Sequence, residues 1–139
     1  MDKKCNHCVA GIITNEKGEI LLERHVKTQA YTLPGGKIDN HETPKLALVR
    51  ELFEELGILA YRYELIIENK FNQIEYPVGS GNYSDFYQNY FSIDEYKGEI
   101  TNKEPEKHPE LLWMKPEEIR DYLPKISAVL NYYLEKIGL

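Results

Sequence analysis

Residues 36–58, from Gly36 to Ile58, read GKIDNHETPKLALVRELFEELGI, and their second half carries the punctuation of a helix. Thr43 can cap the first turn, Pro44 suits the first helical position, and Gly57 suits the end. At about 100° per residue, Leu46, Val49, Leu52, Phe53 and Leu56 fall on one side of Pro44 to Leu56, the side expected to face a core. Glu51, Glu54 and Glu55 gather in an arc of about 100° on the other side. Three carboxylates at i, i+3 and i+4 repel one another, at only a few tenths of a kcal/mol per pair on an exposed helix. Such a face is ordinarily solvated surface. The register around it gives it a second meaning.

From Gly36 the order is five residues, Glu42, seven residues, Arg50-Glu51, aliphatic Leu52, one residue, Glu54-Glu55, one residue, Gly57 and aliphatic Ile58. This resembles the signature of the Nudix hydrolase family (its MutT-like members) at every defined position. Seven positions are fixed in identity and two in class; a chance match somewhere in such a chain is on the order of 10⁻⁷ at ordinary residue usage. A looser resemblance covers nearly the whole chain: an opening hairpin, the LPGG approach at Leu33 to Gly36, and the Trp113 strand before a final helix.

The resemblance implies a fold, a cofactor and a site. The fold is α/β, a Nudix-type α/β/α sandwich with a mixed β-sheet, in a single domain spanning 1–139. The cofactor is Mg²⁺, with Mn²⁺ as a substitute, because hard cations want oxygen ligands. Glu51, Glu54 and Glu55 correspond to metal ligands of the family, and Gly36 to the position that brings a backbone carbonyl to the metal. Arg50 is expected to hold a glutamate through a charge-assisted hydrogen bond. Glu42 anchors the loop, and Gly57 supports the helix end. Asn102 to His108 resembles a segment of nucleoside-triphosphate-cleaning members in which a glutamate reaches the metal. Glu104 and Glu106 are therefore candidates both for metal binding and for the general base, with Glu110 beside them. The implied reaction is attack of water on one phosphorus of a diphosphate while the other phosphate leaves, with metal ions offsetting the negative charge.

Flanking segments follow from local pattern. His7 to Thr14 reads as a buried strand, Asn15 to Gly18 as a turn, and Ile20 to Leu22 as a second strand, making residues 8–24 a hairpin. Leu33 to Gly36 reads as a loop. Tyr63 to Glu75 and Asp85 to Ile93 read as strands around a Gly- and Pro-bearing loop at Tyr76 to Tyr83. Ile100 to Glu110 reads as an exposed loop and Leu111 to Met114 as a short strand. Pro116 opens a helical tail that Pro124 splits in two. Strands, an early helix, more strands and a final helix describe a mixed sheet with helices packed on it.

The totals set bounds. A chain of 139 residues fits one domain, and one of this size buries enough surface to fold without staples. The net charge of -6 excludes the basic footprint of a nucleic-acid polymer binder. It also requires something to offset repulsion from a polyanionic substrate, which a divalent cation would do. Cys5, His7 and Cys8 form one CxxC with no second pair downstream, so they read as two thiols at a strand edge rather than a zinc site. No apolar run approaches the ~18 residues of a membrane span. Met1-Asp2-Lys3-Lys4 leads into no signal-peptide core, so a cytoplasmic location is expected.

Substrate is written outside the signature. Tyr76, Tyr83, Phe86, Tyr87, Tyr90, Phe91 and Tyr96 are mostly expected as strand and core residues, with one or two free to stack on a base. Tyr31 stands where relatives often carry Trp, and Arg24 and Lys37 are candidates for phosphate contact. The expected substrate is a small-molecule nucleotide, first of all a nucleoside triphosphate, oxidised or otherwise non-standard, cut to a monophosphate and pyrophosphate. ADP-ribose and dinucleoside polyphosphates are alternatives, and a non-catalytic nucleotide-binding module is the rival class. An isoprenoid-diphosphate isomerase would need a catalytic cysteine, and Cys5 and Cys8 lie too near the terminus. A homodimer is the oligomer that the resemblance suggests.

Overall fold

The computed structural model describes residues 5–75, 77 and 79–139, with Cys5 through its backbone alone. Met1 to Lys4, the Cys5 thiol and Tyr76 therefore lie outside the described residues. Among the described residues, seven strands and three helices follow in the order β1 (Cys5–Ile13), β2 (Ile20–Arg24), β3 (Tyr31–Thr32), β4 (Gly35–Lys37), α1 (Pro44–Leu56), β5 (Leu59–Glu75), β6 (Tyr83–Lys97), β7 (Glu110–Met114), α2 (Pro116–Tyr122) and α3 (Ala128–Lys136). The larger sheet has the order β4-β1-β6-β5 and is mixed, since β1 runs parallel to β6 while its pairing with β4 and that of β5 with β6 are antiparallel. A smaller antiparallel sheet has the order β3-β2-β7.

Strand β1 explains the layering. It is buried on both faces, as a strand with parallel pairing should be. Val9 and Ile13 pack with Leu48, Leu52 and Leu56 of α1 and with Phe91 and Ile93 of β6. Ala10 and Ile12 point the other way, to Leu22, Tyr90, Ile119, Leu130 and Leu134. Helix α1 thus covers one core, and α2 and α3 cover the other. The mixed-sheet α/β/α sandwich expected from the sequence is the fold observed.

Several local expectations are corrected. The expected hairpin over 8–24 does not form: β1 and β2 belong to different sheets, and among the described residues the only ladder pairing near their junction is an isolated bridge, Thr14 to Ile20. β1 instead pairs on both edges, with β4 and β6, and each of its apolar faces is covered by a core. For the same reason Cys8 does not sit at a strand edge; it is buried between Lys37 and Gln88 on the flanking strands. Gly35 and Gly36 are not loop but the start of β4, paired with Ala10 and Val9. Gly35 has φ 156°, and a Cβ there would stand 1.9 Å from the Val9 carbonyl oxygen, so a glycine is required for the approach. The 100–110 segment is not uniformly exposed, since His108 is buried. Pro124 does separate two helices, α2 and α3.

Helix α1 has the expected bounds and caps. Thr43 accepts a hydrogen bond from the Leu46 N–H at 3.2 Å, and Gly57 ends the helix at φ 70° with its N–H donating to Phe53. Its rotation differs from expectation. Ala47, Leu48, Leu52, Glu55 and Leu56 are buried, whereas Leu46 and Phe53 are 59% and 60% exposed. The helix is turned so that a glutamate, not Phe53, faces inward.

Candidate active site

That rotation builds the site. Glu55 is 3% exposed, and its Oε2 accepts the Gly35 N–H at 3.3 Å. Glu51, one turn earlier, lies against Gly36, where a Cβ would meet the Glu51 carboxylate at 2.5 to 2.7 Å. Two residues without side chains at the sheet edge let the carboxylates of α1 reach a cavity of about 520 Å³. Glu51 and Glu55 share that cavity with Gly35, Gly36 and Lys37 of β4, Glu23 of β2, and Glu104, Lys107 and His108 of the segment before β7. Four elements distant in sequence thus contribute to one acidic recess.

Arg50 organises the outer edge. Its Nε and Nη2 donate to the two Glu42 oxygens at 2.6 and 2.9 Å, a bidentate pair. Nη1 donates to Glu51 at 3.0 Å and to Glu54 at 3.3 Å, and Nη2 also donates to the Lys37 carbonyl at 3.0 Å. One planar guanidinium therefore ties the loop before α1, strand β4 and two motif glutamates together, a task suited to its fixed fork of donors. The Glu42 carboxyl is held down to about 2, first by the Arg50 hydrogen bonds and then by the Asp39 N–H. Arg50 itself is pushed further up, chiefly by Glu42.

The inner carboxylates have no such partner. Among the described residues, neither Glu23 nor Glu55 forms an ion pair with a lysine or arginine. Burial raises Glu55 well above the carboxylate range, and the nearby Glu23 adds to the effect. Burial likewise raises Glu23, to about 8, against an opposing hydrogen bond with Glu55. Glu51 is raised by burial, with Arg50 pulling the other way. His108 is lowered by burial and by the neighbouring His25. Buried carboxylates are stable when neutralised, paired or bound to a metal. Glu23 Oε2 is buried with no hydrogen-bond partner among the described residues. These hard oxygen donors fit a divalent cation.

The remaining expected residues are placed as follows. Glu104 is half-buried in the cavity wall and bonded to Lys107 at 3.2 Å, whereas Glu106 is exposed and does not line the cavity. The Glu54 side chain is 49% exposed beside Arg50 and stands outside the cavity lining. Gly57 closes α1 and packs on Lys103. Lys37 lines the cavity. Arg24 and Tyr31 do not; both are engaged with Glu110, Arg24 at 3.3 Å and Tyr31 by donating its hydroxyl. Of the aromatic run, Phe86 lines the cavity, Tyr90 and Phe91 are core, and Tyr87 stacks on His7.

Sequence reasoning missed Glu23 and His108. A signal existed for Glu23, a carboxylate directly after the apolar Ile20-Leu21-Leu22 run of a strand. His108 had none, standing in a polar stretch between Lys107 and Pro109.

Comparison with known proteins shows the family and the fold. The NUDIX domain family matches residues 6–134. An 8-oxo-dGTP diphosphatase of Haemophilus influenzae is 48% identical over 81 residues, 55% of this chain and 57% of that protein. One of Proteus vulgaris is 31% identical over 109 residues, 74% of this chain and 88% of that protein. Among solved structures, a MutT NUDIX hydrolase from Burkholderia pseudomallei superposes with a TM-score of 0.78 at 24% identity, over 98% of this chain and 100% of that one. With its signature helix, its sandwich fold and a family match running almost from end to end, this chain belongs to the Nudix hydrolase family.

Proposed function

We propose that the protein hydrolyses a nucleoside triphosphate, oxidised or otherwise non-standard, to a monophosphate and pyrophosphate with the help of a divalent cation. One observation carries this reading: Glu23, Glu51, Glu55 and Glu104 line one cavity together with Phe86, Gln88 and Asn72, side chains able to meet a base. Along the larger sheet, Lys37 pairs with Cys8, Cys8 with Gln88, and Phe86 with Asn72. Strands lie about 4.8 Å apart, so Gln88 and Asn72 stand roughly 10 to 14 Å from the β4 edge. That is about the reach of a nucleotide from its phosphates to its base. Gln88 is buried, and Phe86 offers a ring to stack on.

The cation, when bound, neutralises phosphate charge and lowers the pKa of water. Glu51 and Glu55 would hold it, with Glu54 and the Gly36 carbonyl as the further ligands expected from the signature. Lys37 and Lys107 meet phosphate oxygens as point charges. Arg50 keeps Glu51 in position through its bond to the carboxylate. We assign proton acceptance from the attacking water to Glu104, which lines the cavity, rather than to exposed Glu106. Water attacks one phosphorus, the P–O bond to the leaving phosphate breaks, and pyrophosphate departs. The names of the relatives, 8-oxo-dGTP diphosphatases, support the substrate class. No helix among the described residues is long and apolar enough to cross a membrane.

The test is product identification from a panel of canonical and oxidised nucleoside triphosphates, ADP-ribose and dinucleoside polyphosphates with Mg²⁺ or Mn²⁺, with a Glu51→Gln variant run beside the native protein. Pyrophosphate and monophosphate from a triphosphate, lost in the variant, support the reading. Turnover confined to ADP-ribose or dinucleotides overturns the substrate class, and nucleotide binding without product overturns the hydrolase.

A further inference from the structure

Glu23, Glu55 and His108 lie deeper than the rest of the site. All three are buried, at 2%, 3% and 7% exposure. One ligand atom from each lies within 4.8 Å of the other two. They come from β2, α1 and the segment before β7, so the sheet and helix packing, not a local turn, brings them together. His108 Nε2 approaches Glu23 Oε1 at 3.3 Å, and the other Glu23 oxygen is sealed from solvent without a partner among the described residues. A buried oxygen left unpaired is costly unless something else meets it. The backbone holds His108 firmly: Asn102 Nδ2 donates to its carbonyl at 2.6 Å, and its own N–H donates to the Glu104 carbonyl at 2.9 Å.

We propose that Glu23, Glu55 and His108 form a mixed nitrogen and oxygen cation position, selective for a transition-metal ion of the Mn²⁺ or Co²⁺ class over Mg²⁺. The inference rests on the cation-dependent reading above and adds to it two residues outside the signature. Two carboxylates balance the charge of a divalent ion. One imidazole biases the choice, because transition-metal ions, Co²⁺ more strongly than Mn²⁺, take a nitrogen ligand more readily than Mg²⁺, which is held by oxygen. Ligand bonds of about 2.1 Å span roughly 3 to 4 Å between donors, so a spread of 4.8 Å closes by about 1 to 2 Å when an ion binds. Glu55 belongs to both sets, which links the inner position to the motif helix.

The experiment measures metal binding, not turnover. One equivalent of Mn²⁺ is added to the native protein, and pulsed electron paramagnetic resonance reads nitrogen coupling to the ion. Calorimetry gives Mn²⁺, Co²⁺ and Mg²⁺ affinities for the native protein, His108→Gln and Glu23→Gln. The expected result is nitrogen modulation in the native protein that His108→Gln abolishes. That variant should also lose about tenfold or more in Mn²⁺ and Co²⁺ affinity, with Mg²⁺ affinity within about twofold. Glu23→Gln should lower Mn²⁺ and Co²⁺ affinity in the same way. If the variants do not fold, the native spectrum alone decides. Mn²⁺ bound with no nitrogen coupling overturns this proposal and leaves an oxygen-only cation site intact. No binding of any of the three ions overturns both readings.

Discussion

Gly36 lies directly on the carboxylate of Glu51: a methyl group on its Cα would stand 2.5 Å from Glu51 Cδ and 2.6 Å from Oε1. The obstructing atoms are the end of a flexible side chain, so Gly36→Ala can fold by displacing that carboxylate. The expected outcome is a thermal midpoint within a few degrees of native and a fall in kcat of about ten- to a hundredfold, the size typical of disturbed ligand positioning. Thermal denaturation and steady-state kinetics on one preparation check this. A normal kcat would mean that the position of Glu51 is unimportant.

Arg50→Lys keeps the charge and removes the fork. A single ammonium cannot meet both Glu42 oxygens, Glu51 and the Lys37 carbonyl, all of which Arg50 contacts at 2.6 to 3.0 Å. The variant should lose about tenfold or more in kcat, with a smaller change in KM. Equal kcat in the two proteins would reduce Arg50 to a point charge.

The Arg50 to Glu42 pair also has an acid signature. The folded-state pKa of Glu42 is depressed, from 4.5 to about 2. Its contribution to stability is thus fully present above pH 4.5 and is lost as pH falls toward 2. Stability curves of the native protein and Glu42→Gln should therefore stand apart at neutral pH and converge as pH falls through that window. Urea titrations across the range measure the gap, and a gap constant down to pH 2 contradicts the assigned pairing.

The rotation of α1 can be read from two substitutions. Leu52 is fully buried, so Leu52→Ala should cost about 3 kcal/mol. Phe53, 60% exposed, should tolerate Phe53→Ser within about 0.5 kcal/mol. Comparable losses at the two positions would restore the helix face expected from sequence.

Gln88→Leu tests the base end of the cavity. Gln88 is buried, and its exchange for a hydrocarbon side chain removes both a donor and an acceptor. KM for the preferred nucleotide should rise about tenfold, and discrimination between bases should narrow, since one hydrogen-bonded contact to a base edge is worth about 1–3 kcal/mol. Cation affinity should stay as in the native protein, because Gln88 stands two strands away from the β4 edge. Unchanged KM and base preference would place the base elsewhere.

Much of the fold was legible in sequence because its signals were local. Thr43, Pro44 and Gly57 marked the bounds of α1 to the residue, and Pro124 marked the break before α3. The hairpin over 8–24 failed because two apolar runs joined by a turn look alike whether they pair with each other or with distant strands. Only the tertiary pairing, β1 between β4 and β6 and β2 between β3 and β7, separated them. The helix face failed for a related reason. Leu46 and Phe53 are apolar, but periodicity does not know that Glu55 will find a sheet edge opened by Gly35 and Gly36.

By itself, then, the sequence determined the family, the sandwich fold and the spacing of Glu51, Glu54 and Glu55 on a single helix, because a helix converts residue spacing directly into geometry. Tertiary structure alone decided which carboxylates share the cavity. It turned Glu55 and Glu51 inward, left Glu54 beside Arg50 at the rim, and chose Glu104 over Glu106 as lining. It also brought Glu23 and His108, 85 positions apart in the chain, to 3.3 Å. Contacts of that kind are set by how β2 and β7 pair and how α1 packs across them, and no local pattern in either segment encodes such long-range packing.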